Sequence, residues 1–223
     1  MTVLKASVPG VPDIYRGAEL VDDSLVDPDN RRPVDFSRRR LLLDEMAGIG
    51  ANDVGPFLLD WWDAWDFDRL KLWALHRLLG ARRREPFLFA RGDYLPVVVR
   101  GPRARHLVAF ARRLADAGGE RLLLVLATRL PMGLGLEPGR RANDATLWED
   151  TSLDVAGAAL PLGAWRDLLD GRELRIEEGL APVAGLLGDL PCAALVGGSG
   201  AFVASSKAQQ EPRADGETGA VFP

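Results

Sequence analysis

The sequence predicts an α/β segment followed by an all-β module, within a chain of 223 residues. The first observation is a helical pattern over Asp60–Gly80, in which four leucines between positions 72 and 79 lie on one side of a helix. The second is a change of pattern after Pro86, where short apolar runs alternate with turn residues. Such runs are typical of an antiparallel β-sandwich.

The composition excludes several classes of protein and site. A net charge of −4 and a pI near 5.3 argue against a nucleic-acid partner, which normally requires a basic surface. No run of eighteen apolar residues predicts a membrane span, and no secretory leader is visible, so a cytoplasmic location is expected. One cysteine, Cys192, and two histidines make a disulfide or a metal centre improbable. We therefore expect no metal and no cofactor.

The first 85 residues predict a strand, a loop and helices. Val11–Tyr15 has the character of a short buried strand ended by Gly17. A polar loop with two prolines follows, and a helix is expected over Arg38–Met46, where Gly48 ends it. The long helix over Asp60–Gly80 carries three arginines after its last turn, where cations are favourable.

The β-module is predicted from short apolar runs and one hairpin turn. Asp170-Gly171 is the hairpin signal, between Leu168-Leu169 and the apolar residues at 174 and 176. The other expected strands are Leu95–Val99, His106–Phe110, Leu122–Ala127 and Leu190–Val196.

The expected organisation is therefore residues 1–85 as a strand, loop and helices, residues 86–197 as the β-sandwich, and residues 198–223 as a disordered tail rich in small and polar residues. The first piece is too short to bury a core alone. A βα unit normally packs within a larger parallel sheet or barrel, so it must rest on the sandwich or on a surface outside this chain.

The densest polar cluster lies between Asp27 and Phe36. It offers three carboxylates, an amide and two guanidinium groups, which suit a hydroxyl-rich ligand. The alternative is a solvated loop whose aspartates bond to their own backbone, and composition alone favours this alternative.

The aromatic residues and histidines can likewise be interpreted either as ligand-binding residues or as structural ones. Four of the six tryptophans lie between positions 61 and 73, and Trp148 and Trp165 lie in the β-module. Aromatic rings stack on sugars and also fill cores, and helical spacing beside leucines favours the core. His76 is expected to pack within its helix, His106 to lie on the surface, and Cys192 to act as a small buried residue.

Two stretches resemble a known family. LKASVPGVPDIYRGAEL at 4–20 and SLVDPDNRRPVDF at 24–36 are similar to the region after the last barrel strands of the maltooligosyl trehalose synthases, within the α-amylase family of glycoside hydrolases (family 13). Residues 9–15 resemble the eighth barrel strand. KLWALHRLL at 71–79 and GDYLP at 92–96 add to the likeness.

The resemblance implies a fold class and an activity. The fold would be the end of a (β/α)8 barrel with a helical extension, followed by an antiparallel β-sandwich. The family converts the reducing-end α-1,4 bond of a maltooligosaccharide into an α,α-1,1 bond by intramolecular transfer, with two carboxyl groups about 5–5.5 Å apart. The family's catalytic Asp, Glu and Asp precede the region that is similar to this chain. No catalytic residue is therefore assigned here, and the chain alone is expected to be inactive.

The resemblance also implies a set of substrate-binding residues at the catalytic end of the barrel. Arg16 stands where the family pattern has Gln, and Val21 where it has Trp, which alters the expected shape of the sugar site. The implied binding residues are Tyr15, Glu19, Asp27, Asp29, Asn30, Arg31, Arg32 and Asp35.

Two other hypotheses remain open. In the first, the sandwich is a non-catalytic module that binds glucan through Trp148 or Trp165, or that stabilises a partner chain. In the second, the enzyme is split and its barrel half is a separate polypeptide. If the enzyme is split, residues 4–15 and 57–79 should expose an apolar surface that is prone to association, because the partner surface that would cover it is missing.

Overall fold

The computed structural model describes residues 1–23, 33–137 and 139–200. The helices are α1 (Thr2–Ser7), α2 (Phe36–Ala47), α3 (Val54–Asp63), α4 (Phe67–Arg84), α5 (Pro86–Arg91), α6 (Pro131–Leu134), α7 (Ala145–Trp148) and α8 (Val183–Leu186). The strands are β1 (Asp93–Pro96), β2 (Val99–Arg100), β3 (Leu107–Asp116), β4 (Gly119–Thr128), β5 (Ser152–Asp154), β6 (Gly163–Asp167), β7 (Glu173–Ile176), β8 (Leu180–Pro182) and β9 (Cys192–Gly197).

The described strands form two antiparallel sheets. The larger has six strands in the order β1-β3-β4-β9-β6-β7, and the smaller has three in the order β2-β5-β8. The ten-residue strands β3 and β4 pair along their whole length, from Leu107 opposite Thr128 to Asp116 opposite Gly119. The predicted antiparallel sheets are therefore present, and the Asp170-Gly171 hairpin joins β6 to β7 as expected.

Strand β4 shows why the apolar run at 122–127 is continuous. Leu122, Leu124 and Leu126 pack in the core shared with the smaller sheet. Leu123 and Val125 point the other way, into a second core beneath the helices. Both faces of β4 are covered, so apolar residues are needed at every position rather than at every second one.

Helices α1, α4 and α5 lie on the outer face of the six-stranded sheet. Ala74, Leu78 and Ala81 of α4 share a core with Phe110 of β3 and with β9. Helices α2, α3 and α4 form a further cluster that includes Leu42 and Trp73. The helical segment and the sheet thus bury apolar surface against each other, while the domain boundary at residue 85 stays a prediction.

The long helix predicted over Asp60–Gly80 is in fact two helices. Trp65 has a positive φ of 58° between them. Asp66 then caps α4, where its side chain accepts a 3.0 Å hydrogen bond from the amide of Arg69. Helix α4 runs on through Arg84, so the arginines expected after its end form its last turn.

The predicted strand over Val11–Tyr15 is wrong, because residues 11–15 adopt no regular structure. A strand needs a hydrogen-bonded neighbour, and the described sheets provide none for this stretch. In contrast, the helix predicted over Arg38–Met46 is confirmed as α2. Helix α1, which precedes the failed strand, was not anticipated from the sequence.

The structure also bears on the predicted C-terminal tail and on the expected absence of a membrane span. Residues 198–200 are placed beside the start of β4, where the amide of Gly200 donates to the carbonyl of Glu120 at 2.8 Å. The disordered tail predicted over 198–223 stays a prediction, and residues 201–223 lie outside the described residues. Among the described helices, none combines the length and apolar character needed to cross a membrane.

Candidate functional site

Residues 8–23, which we call the N-terminal segment, run over the surface of the helices. After α1 the backbone is extended at Val8, and Gly10 has a positive φ of 102°. Exposure alternates along 11–15, with Val11 93% and Tyr15 59% exposed. The segment therefore presents alternate side chains to solvent in the manner of an unpaired strand.

Arg82 of α4 fixes the start of this segment. Its guanidinium donates to the carbonyl of Ala6 at 3.1 Å and to that of Gly10 at 2.5 Å. The same guanidinium lies over the ring of Phe89, 4.8 Å from the centroid. A single helical side chain thus determines where the backbone leaves α1.

Arg39 of α2 fixes the middle of the segment. Its Nε donates to Glu19 Oε2 at 2.9 Å, and its two Nη atoms donate to the carbonyls of Asp35 and Gly17 at 3.0 and 2.5 Å. Gly17 is needed here, because it has a φ of 94° and a Cβ atom would lie 3.1 Å from Val34. Charged donors and backbone acceptors therefore hold the middle of the segment.

Helix α4 fixes the end of the segment. Asp68 Oδ1 accepts from the amide of Val21 at 2.8 Å, and Lys71 Nζ donates to the carbonyl of Leu20 at 2.6 Å. Arg38 donates to the other oxygen of Asp68 at 2.5 Å. Leu20 is buried in the helical cluster and anchors these bonds.

The structure places three of the predicted binding residues. Tyr15 is exposed, Glu19 is paired with Arg39, and Asp35 caps α2 through a 2.9 Å bond from the amide of Arg38. Glu19 and Asp35 therefore meet around Arg39, while Tyr15 points to solvent. The other predicted residues, Asp27, Asp29, Asn30, Arg31 and Arg32, lie outside the described residues.

Three of the described carboxylates in this region take part in structural hydrogen bonds. Glu19, Asp35 and Asp68 each accept hydrogen bonds that fix a turn, a helix start or the N-terminal segment. An aspartate that bonds to nearby amides is the alternative that composition favoured, and for Asp35 it is confirmed. General acid–base chemistry needs a carboxyl group free to exchange a proton with substrate, and these three are committed elsewhere.

An aromatic cleft beside the N-terminal segment was missed from the sequence. Trp62 and Phe67 line it on the helical side, and Thr128 and Pro191 line it at the end of β4 and the start of β9. Trp65, 53% exposed, stands at its mouth. Trp62 and Trp65 were visible in the sequence, but helical spacing beside leucines favoured the core for both.

The tryptophans of the β-module lie in the core. Trp148 is fully buried and its indole donates to the carbonyl of Ala142 at 2.7 Å. Trp165 is 2% exposed and donates to the carbonyl of Pro161 at 3.3 Å. Neither ring has a free face on which a sugar could stack, so the core expectation is confirmed.

The histidines are placed opposite to expectation. His106 is 1% exposed, and its Nδ1 faces the carbonyls of Arg129 and Leu130 at 3.3 and 3.2 Å. Its Nε2 accepts from Arg105 Nε, so the proton of the neutral ring sits on Nδ1. His76, expected to pack, reaches solvent beside Trp73.

Cys192 follows the sequence expectation in part. The residue is partly exposed, yet it packs at the margin of the core beneath the helices. Burial, with the negative charge of Asp167 adding to it, raises the pKa of its thiol to about 12. The thiol therefore stays protonated at neutral pH and has no nucleophilic character.

Comparison with known proteins places this geometry in context. A protein of two strains of Mycobacterium tuberculosis, named "Putative maltooligosyl trehalose synthase", is 37% identical over 194 residues. A mutant of maltooligosyltrehalose synthase from Arthrobacter ramosus is 40% identical, and its structure superposes with a TM-score of 0.61. Over 87% of its own residues, this chain resembles maltooligosyl trehalose synthase. The resemblance seen in the sequence is therefore confirmed.

The match to maltooligosyl trehalose synthase includes most of this chain but only a small part of each relative. It covers 87% of this chain but 20% of the Mycobacterium protein and 21% of the Arthrobacter chain. The chain thus spans about a fifth of the length of the relatives it matches. No protein-family model matches the chain.

Proposed function

We propose that this chain corresponds to the C-terminal part of a maltooligosyl trehalose synthase and works together with a catalytic barrel supplied by further polypeptide. In that assembly the reducing-end α-1,4 bond of a maltooligosaccharide becomes an α,α-1,1 bond, an isomerase reaction of glycoside hydrolase family 13. The proposal is supported by the 37–40% identity over 87% of the chain. We also place the assembly in the cytoplasm.

The single structural observation behind the proposal is the unpaired N-terminal segment. Residues 11–15 carry an alternating exposed pattern and have no strand partner in the described sheets. Val11, at 93% exposure, leaves an aliphatic side chain in water. A neighbouring strand of a barrel would satisfy the backbone bonds and cover these side chains.

The chemistry would belong to the barrel. A retaining transfer needs two carboxyl groups about 5–5.5 Å apart and not consumed by structural bonds. Glu19, Asp35 and Asp68 are all engaged in structural hydrogen bonds. The contribution of this chain would be to complete the barrel at the N-terminal segment and to place Tyr15 at its catalytic end.

A complementation experiment tests this proposal. The Arthrobacter ramosus enzyme lacking its matching fifth would be produced separately and mixed with the full 223-residue chain. We expect neither part alone, and only the mixture, to convert maltohexaose into a non-reducing product. Conversion by the chain alone would contradict the proposal, as would a mixture that neither associates nor reacts.

A variant pair sharpens this test. Val11→Asp changes a side chain that touches little in the isolated chain, so its unfolding free energy should move by less than about 0.5 kcal/mol. In the mixture it should lower conversion at least about tenfold, because a charge would be buried at the new strand contact. Leu162→Asp, 56% exposed in the β-module, is the matched control and should leave conversion unchanged.

A further inference from the structure

The aromatic cleft consists of two connected cavities. One, lined by Lys71, has a volume of about 290 Å³, and the other, lined by Met132, has a volume of about 360 Å³. We call them the Lys71 cavity and the Met132 cavity. They form one space, because four residues line both: Trp62, Phe67, Thr128 and Pro191. Cavities of this size are typical of small-molecule sites, whereas a protein partner normally covers a much larger surface.

The walls of the cleft are mostly apolar. The ring of Phe67 packs edge-to-face against those of Trp62 and Trp65, with centroids 6.3 and 5.4 Å apart. The turn after β4 contributes Met132 and Leu136. Met132 is 83% exposed, and Trp65 is also exposed. An apolar ligand in the cleft would remove these side chains from water, which is favourable.

The backbone is strained on both sides of the Met132 cavity. Trp65, directly before the cap of α4, has a φ of 58°. Leu130, directly before the lining residues Pro131 and Met132, has a φ of 52°. Residues other than glycine rarely adopt this left-handed region, and such strain is concentrated at binding and catalytic sites. Two strained residues beside one cleft therefore favour a binding role for it.

Polar contacts hold the walls of the cleft in place. The buried ring of His106 has its Nδ1 atom 3.2 Å from the carbonyl oxygen of Leu130. The indole of Trp62 donates to the carbonyl of Arg140 at 3.3 Å. Both walls are thus fixed by contacts within the chain, so little further ordering would accompany binding.

A single cation marks the Lys71 cavity. Among the described residues that line this cavity, Lys71 is the one with a charged side chain. Its Nζ donates to the carbonyl of Leu20 at 2.6 Å, which places the ammonium beside Val21, a further lining residue. An ammonium has three donors, and this bond uses one of them. The nearby carboxylate of Asp68 accepts from the amide of Val21 and from Arg38.

We propose that the aromatic cleft binds a small amphiphile with an apolar chain and an anionic head group, as in a medium-chain carboxylate. The chain would lie against the rings of the Met132 cavity, and the head group would accept from the remaining donors of Lys71. Glu137 lines the Met132 cavity, so the two ends of the cleft differ in charge and would orient the ligand. This inference does not rest on the proposed function.

Calorimetry on the full chain, with each probe below its critical micelle concentration, tests the proposal. Decanoate, 1-decanol and decyltrimethylammonium share a chain length and differ in the charge of the head group. We expect decanoate to saturate one site per chain. It should bind at least about tenfold more tightly than 1-decanol, the size of one charge-assisted bond, and the cationic probe should bind more weakly still.

Octanoate measures the contribution of the apolar walls. Each buried methylene group increases affinity about fourfold, and octanoate has two fewer than decanoate. It should therefore bind about fifteenfold more weakly than decanoate. Acetate carries the same head group without a chain and should show no saturable binding.

A lysine variant tests the recognition of charge. Lys71→Met should make decanoate and 1-decanol bind equally well. The change also removes the bond to Leu20, so the quantity compared is the ratio of the two affinities rather than either affinity alone. Lys5→Met removes the same charge from an exposed position on α1, outside the described lining of the cleft, and should leave that ratio unchanged.

A glycine variant tests the aromatic wall. Trp65→Gly should fold as well as the wild type, because glycine adopts a φ of 58° without strain. It should weaken all three decyl probes at least about threefold, since the contact with the ring is lost. Leu162→Gly, at an exposed position of the β-module, should leave their binding unchanged.

The outcomes are distinct. Absence of saturable decanoate binding to the wild type would overturn the proposal. Equal affinity for the three head groups would overturn it as well, as would a preference for decanoate that survives in Lys71→Met, because Lys71 would then play no part. A dimer of the wild type that Trp65→Gly dissociates would assign the cleft to a second copy of the chain instead. The complementation experiment is unaffected by any of these results.

Discussion

The N-terminal segment and the central strand β4 are held in place by different forces. Residues 122–127 of β4 are buried on both faces, and most are completely inaccessible to solvent. The N-terminal segment instead depends on three long side chains, Arg82, Arg39 and Lys71, that reach across to backbone carbonyls. Apolar burial stabilises the sheet, whereas polar bonds from the helices position a segment that buries little of its own surface.

This contrast shows which part of the molecule has its apolar side chains covered by the same chain and which part does not. The sheets bury their apolar faces against each other and against the helices within the same chain. The segment around Val11 and Tyr15 keeps apolar side chains in water. A region that is tied down but uncovered is one that a further surface could occupy at little additional ordering cost.

The largest effect should come from a cavity in the sheet core. Leu124→Ala removes a fully buried side chain from β4, and the free energy of unfolding should fall by about 2–5 kcal/mol. Urea unfolding followed by circular dichroism measures this. Leu162→Ala, at a 56% exposed position, should change it by less than about 0.5 kcal/mol. Similar losses for both variants would mean that β4 is not the centre of stability.

An intermediate effect is expected at Asp167, where the hairpin meets β9. Burial raises the pKa of this carboxyl to about 7, and the negative charge of Asp170 adds to the shift. The amides of Leu169 and Ala194 and the charge of Arg172 act in the opposite direction.

The sign of the pH dependence follows from that raised pKa. An unfolded aspartate ionises near pH 3.9, so between pH 4 and 7 the folded state keeps a proton that the unfolded state loses. Stability from this group is therefore present at low pH and is lost as the pH rises through about 7. Between pH 5 and 8 the wild type should lose about 1–3 kcal/mol more than Asp167→Asn.

Asp167→Asn is a conservative control for this measurement. The two amide bonds both reach Oδ1, which an asparagine oxygen replaces. The variant should therefore fold normally while losing the titration. Parallel stability profiles for the two proteins from pH 5 to 8 would show that Asp167 ionises at an ordinary pH.

The smallest effect should be confined to the N-terminal segment. Arg39→Met removes the bonds to Glu19 and Gly17 and should lower the free energy of local opening by about 1–2 kcal/mol. Limited proteolysis within residues 8–23 should then become about 5–30 times faster. The matched control is Arg40→Met, which changes an exposed neighbour on α2.

Global unfolding gives the second half of this comparison. Arg39→Met should leave the urea midpoint of the sheets nearly unchanged, because β3 and β4 make no use of the segment for their pairing. A global loss as large as that of Leu124→Ala would contradict the distinction between the two regions.

Local sequence signals were sufficient where a residue and its partners are close along the chain. Helix α2, predicted over Arg38–Met46, the Asp170-Gly171 hairpin and the run at 122–127 all follow from neighbours within a few positions. Trp148 and Trp165 were assigned to the core for the same reason. Capping, turn formation and apolar periodicity are local properties, so one sequence suffices to predict them.

Residues whose partners are distant in sequence were misjudged. His106 was expected on the surface, yet it is buried against the carbonyls of Arg129 and Leu130. The break at Trp65, and with it the aromatic cleft, was hidden because a single periodic pattern covers α3 and α4. Nothing near these residues in sequence specifies the surfaces that face them.

By itself, the sequence determined the antiparallel sheets, the main helices and the resemblance to maltooligosyl trehalose synthase. The reason is that apolar periodicity, turn residues and sequence motifs each consist of residues that are close together in the sequence. Only the tertiary structure decided that Glu19 pairs with Arg39. It also decided that Val11–Tyr15 has no strand partner within the described part of the chain. The physical reason is that charge pairing, burial and strand pairing depend on which distant surfaces meet, and no local pattern encodes that meeting.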